Sequence, residues 1–101
     1  MRTQALLLVL ATPLAALAQS PDALQVRSLA ATCANCHGTD GRAVQGSQVT
    51  SLAGLDKGYI VAQMNAFKTG ARPATVMHQI SKGFNDAQIE SLAGYFAAQK
   101  K

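Results

Sequence analysis

The chain has 101 residues, a formal net charge of +4, 49% hydrophobic residues and two cysteines. That length accommodates one small domain and not two, and two cysteines exclude a multi-disulfide framework. The nine Lys and Arg are scattered singly, without the basic runs and interleaved aromatics of a nucleic-acid surface. Most of these charges read as solvated faces, with at most a weak pull toward an acidic protein surface.

In chain order, the first stretch reads as an export signal. Arg2 supplies a positive start, residues 5–18 are almost wholly apolar around Leu6-Leu7-Leu8-Val9-Leu10, and Ala16-Leu17-Ala18 is a small-x-small cleavage pattern. The run of about 14 residues is short for a membrane span. A signal peptide over 1–18 and a mature domain over 19–101 are therefore expected, placed in the periplasm. Without Arg2, eight Lys and Arg against five Asp and Glu leave +3.

A domain of this size buries little core and ordinarily needs a staple. With no Trp, two Tyr and three Phe, something other than side chains must fill its middle. Ser20-Pro21-Asp22 is a helix start, with a cap, a proline at the first helical position and an acid in the first turn. Val26, Leu29, Ala30 and Cys33 share one face of that helix, which runs into the cysteines. Residues 38–54, rich in Gly, Ser, Thr and Gln with Asp40-Gly41 as a turn, read as an ordered loop. Asp56 caps a helix to Thr69 with Ile60, Met64 and Phe67 as its stripe and Gly70 as its stop. Arg72-Pro73-Ala74 breaks the pattern, a short helical turn is expected over 75–80, and Lys82-Gly83-Phe84 is loop. Asn85 opens the last helix with Gln88 as a capping-box partner, and Ile89, Leu92, Ala93 and Phe96 form its buried face. No strand signal is present, so the fold class is all-α.

Cys33-Ala34-Asn35-Cys36-His37 carries the chemistry. On a helical turn Cys33, Cys36 and His37 fall at i, i+3 and i+4 and share a face. Two thiols so placed can add to the two vinyl groups of one haem, and the adjacent imidazole can bind its iron, which is the pattern of c-type haem attachment. A redox disulfide or a zinc site also begins from CxxC. Zinc would have to draw on His37 and His78, whose spacing is wrong for a zinc finger, and a thioredoxin-like site needs strands.

A second axial ligand would close the iron to exogenous molecules and favour electron transfer over sensing or catalysis. Met1 leaves with the signal, and Met64 lies in an apolar helical stripe, so it reads as core. Met77 lies 40 residues after His37 in the irregular stretch and is the expected ligand. His78 is the alternative. Adjacent residues on a tight turn point in different directions, so His78 is expected to be exposed.

The run Cys33 to Gly41 (CANCHGTDG) and Ser51-Leu52-Ala53-Gly54 resemble class I bacterial cytochromes c of the c4/c553 type. Arg72 to Met77 (RPATVM), Ile80 to Phe84 (ISKGF) and Leu92 to Phe96 (LAGYF) resemble most the cytochrome subunit of flavocytochrome c sulfide dehydrogenase. The resemblance spans nearly all of the mature chain. It implies three main helices around one covalent haem c, held by Cys33 and Cys36 as thioethers and by His37 and Met77 as axial ligands, with no catalytic residues. It implies further that Leu29 meets Leu92 and Tyr95 where the first and last helices cross, and that Leu52 packs on the haem edge. In the family a backbone carbonyl before Leu52 accepts the histidine's other N–H; a proline common at that position is Thr50 here. The implied function is periplasmic single-electron transfer with a flavoprotein partner, and the alternative is a free carrier. Some such subunits hold two haem domains; this chain holds one haem motif.

Overall fold

The computed structural model describes residues 21–101. The expected signal segment 1–18, its cleavage site and the Ser20 cap lie outside them. The described chain forms α1 (Pro21–Ala31), α2 (Ala34–His37), a 3-10 turn (Thr39–Gly41), α3 (Lys57–Thr69), α4 (Met77–Ser81) and α5 (Asp86–Ala97). No strand occurs among the described residues, and no helix there is long and apolar enough to cross a membrane.

Local chemistry sets the long helices. Asp56 stays extended and its Oδ2 accepts the Tyr59 amide at 3.0 Å, closing the start of α3. Gly70 takes φ +81 and ends it. Asn85 and Gln88 form the full capping box, Gln88 N to Asn85 Oδ1 at 2.8 Å and Asn85 N to Gln88 Oε1 at 2.9 Å.

Three of these helices bury one another: α5 packs on both α1 and α3, and α4 packs on α3. Ala30, Ile60, Leu92, Ala93 and Phe96 are the buried centre. Ala93 is 0% exposed and Ala30 4%, so two small residues let the helices approach closely. Leu29, Leu52, Leu55, Val61, Met64, Phe84 and Tyr95 pack around that centre, half-buried. Leu29 and Tyr95 thus pack against the cluster that holds Leu92, where α1 and α5 were expected to meet, and Met64 packs against the same core.

Two boundaries differ from expectation. The first helix does not run into the cysteines. It stops at Ala31, where the Thr32 hydroxyl donates to the Leu29 carbonyl at 2.7 Å and the backbone tightens into i→i+3 bonds from Thr32 to Leu29 and from Cys33 to Ala30. The short helix expected over 75–80 begins instead at Met77, because β-branched Val76 holds φ −134 before it.

Several charges expected as solvated faces are tied to backbone or rings. Arg42 Nε donates to the Lys100 carbonyl at 2.8 Å. Lys68 Nζ donates to the Phe84 carbonyl at 2.6 Å. The Arg72 guanidinium lies 4.8 Å from the centre of the Phe67 ring.

Candidate haem-binding site

Cys33 caps the single turn of α2. His37 N donates to the Cys33 carbonyl at 2.9 Å, and Gly38 N donates to that of Ala34 at 2.9 Å. These bonds hold Cys33, Cys36 and His37 on one helical turn. Both cysteines are free thiols, Cys33 half-buried and Cys36 exposed. Burial pushes the Cys33 thiol above its usual range, opposed by the Thr32 hydroxyl 4.0 Å from its sulfur. Neither thiol is consumed in a disulfide. Among the described residues no three His, Cys, Asp or Glu side chains gather in metal-holding geometry, so the zinc alternative has no assembled ligand set.

His37 Nδ1 lies 2.6 Å from the Thr50 carbonyl oxygen. A carbonyl only accepts, so the imidazole proton must sit on Nδ1, and Nε2 keeps its lone pair for a metal. The bond forms without the family's proline because neighbouring backbone holds the loop. Leu52 N and Ala53 N both donate to the Gly41 carbonyl, at 2.7 and 3.1 Å. Ala43 N donates to Ser51 Oγ at 2.9 Å, and Gly54 N to the Phe96 carbonyl at 2.9 Å. Leu52 is thereby brought against the core flank.

Two glycines make this folding-back possible: Gly41 belongs to the turn expected at Asp40-Gly41, while the role of Gly38 was not foreseen. Gly38 has φ +83, and a Cβ there would fall 1.8 Å from the Arg42 carbonyl oxygen. Gly41 has φ +78, and a Cβ would meet Phe96 Cδ1 at 2.8 Å and Leu52 Cβ at 2.9 Å. The position of Gly38 directly after the pentad was the available signal. Between them Asp40 takes φ 53, which is unusual for a residue with a side chain. Its carboxylate accepts the Tyr95 hydroxyl at 2.5 Å and lies 3.7 Å from Arg42.

Met77 is half-buried at the start of α4. The expectation that His78 is exposed is not met: it is half-buried, and its Nδ1 is buried without a hydrogen-bond partner. The cause is that α4 packs on α3, so the residue after Met77 is covered rather than projected from a turn. A surface groove of about 590 Å³ between α1 and α5 touches none of the ligand candidates.

Two free thiols on one turn beside an imidazole held in the metal-binding tautomer fit a covalently attached haem. The family model for cytochrome c matches residues 25–100. The chain belongs to the cytochrome c family.

Among its relatives, the cytochrome subunit of sulfide dehydrogenase from Chlorobaculum tepidum is 38% identical over 73 residues, covering 72% of this chain and 64% of that protein. Cytochrome c-554(548) from Halomonas halodenitrificans is 31% identical over 72 residues, covering 68% of this chain and 86% of that one. A solved cytochrome c4 from Acidithiobacillus ferrooxidans superposes with a TM-score of 0.61 at 38% identity, over 65% of this chain and 37% of its own. This cytochrome therefore spans under two thirds of the sulfide dehydrogenase subunit and just over a third of the c4 chain. Its all-α class I fold and its covalently bound haem c follow from family and structure together.

Proposed function

We propose that Cys33 and Cys36 form the two thioethers, that His37 Nε2 and the Met77 sulfur bind the iron from opposite faces, and that Leu52 packs on the ring. The observation that carries this reading is the 2.6 Å contact between His37 Nδ1 and the Thr50 carbonyl, which frees Nε2. Haem c supplies a one-electron couple. His37 and Met77 together leave the iron no position for an exogenous ligand, and the Thr50 carbonyl raises the basicity of the imidazole. Two protein ligands, His37 and Met77, would hold the iron in both oxidation states.

The working domain is 19–101, exported to the periplasm after loss of residues 1–18. Its partner is a sulfide-oxidising flavoprotein, a reading supported by the 38% identity to a sulfide dehydrogenase cytochrome subunit. One haem takes one electron, so a flavin reduced by two electrons must deliver them in two encounters. The test is to add sulfide and the flavoprotein to the oxidised protein and follow haem reduction. Reduction at catalytic flavoprotein and co-purification from the native periplasm are expected; neither occurring would overturn the partner assignment. The second reading is a free carrier serving an oxidase or another redox enzyme. In that case the protein runs alone on gel filtration of a periplasmic extract.

A further inference from the structure

The bond from His37 to Thr50 depends on a loop whose fixings converge on the end of α5. Thr50 itself is exposed and lies outside any helix. On one side of it, Gly54 N donates to the Phe96 carbonyl. On the same side, Leu52 N and Ala53 N hang on the Gly41 carbonyl, within the turn that contains Asp40. That turn is held in two places, one in α5 and one in the segment after it: the Tyr95 hydroxyl donates to Asp40 Oδ1, and Arg42, paired with Asp40 Oδ2, donates to the Lys100 carbonyl. Tyr95 and Phe96 meet edge to face at 5.3 Å, so the hydroxyl is aimed by a ring in the packed core.

From this we infer that Tyr95 is a positioning residue for the haem iron: with Asp40, Arg42 and the Lys100 carbonyl it clamps the loop so that Thr50 O stays on His37 Nδ1. The inference rests on His37 being an axial ligand. Asp40 pays a conformational cost at φ 53, and nothing in its own turn requires a residue other than Gly or Asn there. Its carboxylate supplies the reason, because it reaches a hydroxyl 55 positions away and ties the turn after the pentad to α5. Loosening the clamp lengthens the Nδ1–H···O bond. The imidazole then donates less electron density, and the oxidised iron loses relative stability.

The test uses the reduced, diamagnetic holoprotein and three variants: Tyr95→Phe, which keeps the ring and removes the hydroxyl; Asp40→Asn, which keeps an acceptor without charge; and Asp40→Ala. Hydrogen exchange of the His37 Nδ1 proton and of the Leu52 and Ala93 amides is read by NMR, together with the reduction potential. In Tyr95→Phe and Asp40→Ala, the His37 and Leu52 protons are expected to exchange about 10-fold faster or more, the scale of one lost hydrogen bond. Ala93, in the core, changes less, and the potential becomes more positive. Asp40→Asn falls between wild type and Asp40→Ala. Equal acceleration at all three protons would reduce Tyr95 to a stability residue and overturn the inference, as would an unchanged His37 proton and potential. A wild-type protein with no protected His37 ring proton would remove the ligand assignment and the clamp together. A protected proton indifferent to Tyr95→Phe would remove the clamp alone.

Discussion

On the His37 side, the amides of Leu52 and Ala53 share the Gly41 carbonyl, the Ala43 amide reaches Ser51, the Gly54 amide reaches Phe96, and Gly38 and Gly41 leave no room for a methyl group. On the Met77 side, a five-residue helix starts at Val76 without a side-chain cap, with Val76 52% and Ile80 45% exposed. Its ties are the buried Ser81, whose hydroxyl bonds the His78 carbonyl, and Lys68, which holds the Phe84 carbonyl from α3. One flank is closed by backbone and the other is held by a few side chains. On the proposed ligation, the first would fix how the haem is attached, and the second would set how firmly Met77 is held.

The largest effect should come from the tight flank. Gly38→Ala drives a Cβ into the Arg42 carbonyl, and backbone cannot yield as a side chain can. A cost of about 4 kcal/mol or more is expected, a large share of the ~5–15 kcal/mol that holds a small domain. Denatured protein resolved on a gel and stained for haem should show little covalent product. A normal yield would mean the turn can relax and the contrast between flanks is overstated.

On the loose flank, Lys68→Met keeps the stem and leaves the Phe84 carbonyl without its donor. A loss of about 2 kcal/mol is expected in the denaturant midpoint of the holoprotein. It should be accompanied by faster exchange of the α4 amides than of those in α2. If α2 loosens first, the two flanks are not separable.

The Tyr95–Asp40 bond gives a smaller, pH-dependent effect. Hydrogen bonding to the Asp40 carboxylate, then burial, raises the Tyr95 hydroxyl above its usual value of 10.0. The folded state thus favours the protonated phenol. Its stabilisation is complete below the ordinary tyrosine pKa and is lost as pH rises through the higher folded value. Tyr95→Phe should cost about 1 kcal/mol at pH 7, and its deficit relative to wild type should shrink as pH climbs beyond 10. A deficit that is the same at every pH would mean that packing, not the hydrogen bond, is what the hydroxyl contributes.

Much of this contrast was legible in the chain itself. Asp56, Gly70, Asn85 and Gln88 announce helix ends through local chemistry, and the pentad states its own geometry because i, i+3 and i+4 need only one turn. The stripe through Ile60 and Met64 and the face through Leu92 and Phe96 give the core by periodicity. What escaped was non-local. No pattern near Asp40 points to Tyr95, and nothing beside Lys68 marks the Phe84 carbonyl as its partner. The burial of His78 was misjudged because a turn was expected where α4 lies against α3. The Thr50 carbonyl reached His37 without its proline because Gly41, Ser51 and Phe96 replace ring rigidity with hydrogen bonds, which the local sequence does not reveal.

The central claim is that His37 and Met77 close the iron from both faces and make this cytochrome c an electron carrier. Carbon monoxide binding to the reduced protein, read by absorption spectroscopy for wild type and Met77→Ala side by side, tests it most directly. Wild type should stay low-spin and bind carbon monoxide poorly, while Met77→Ala should open the sixth position and bind it readily. Ready binding by wild type, or a Met77→Ala spectrum indistinguishable from wild type, would contradict it.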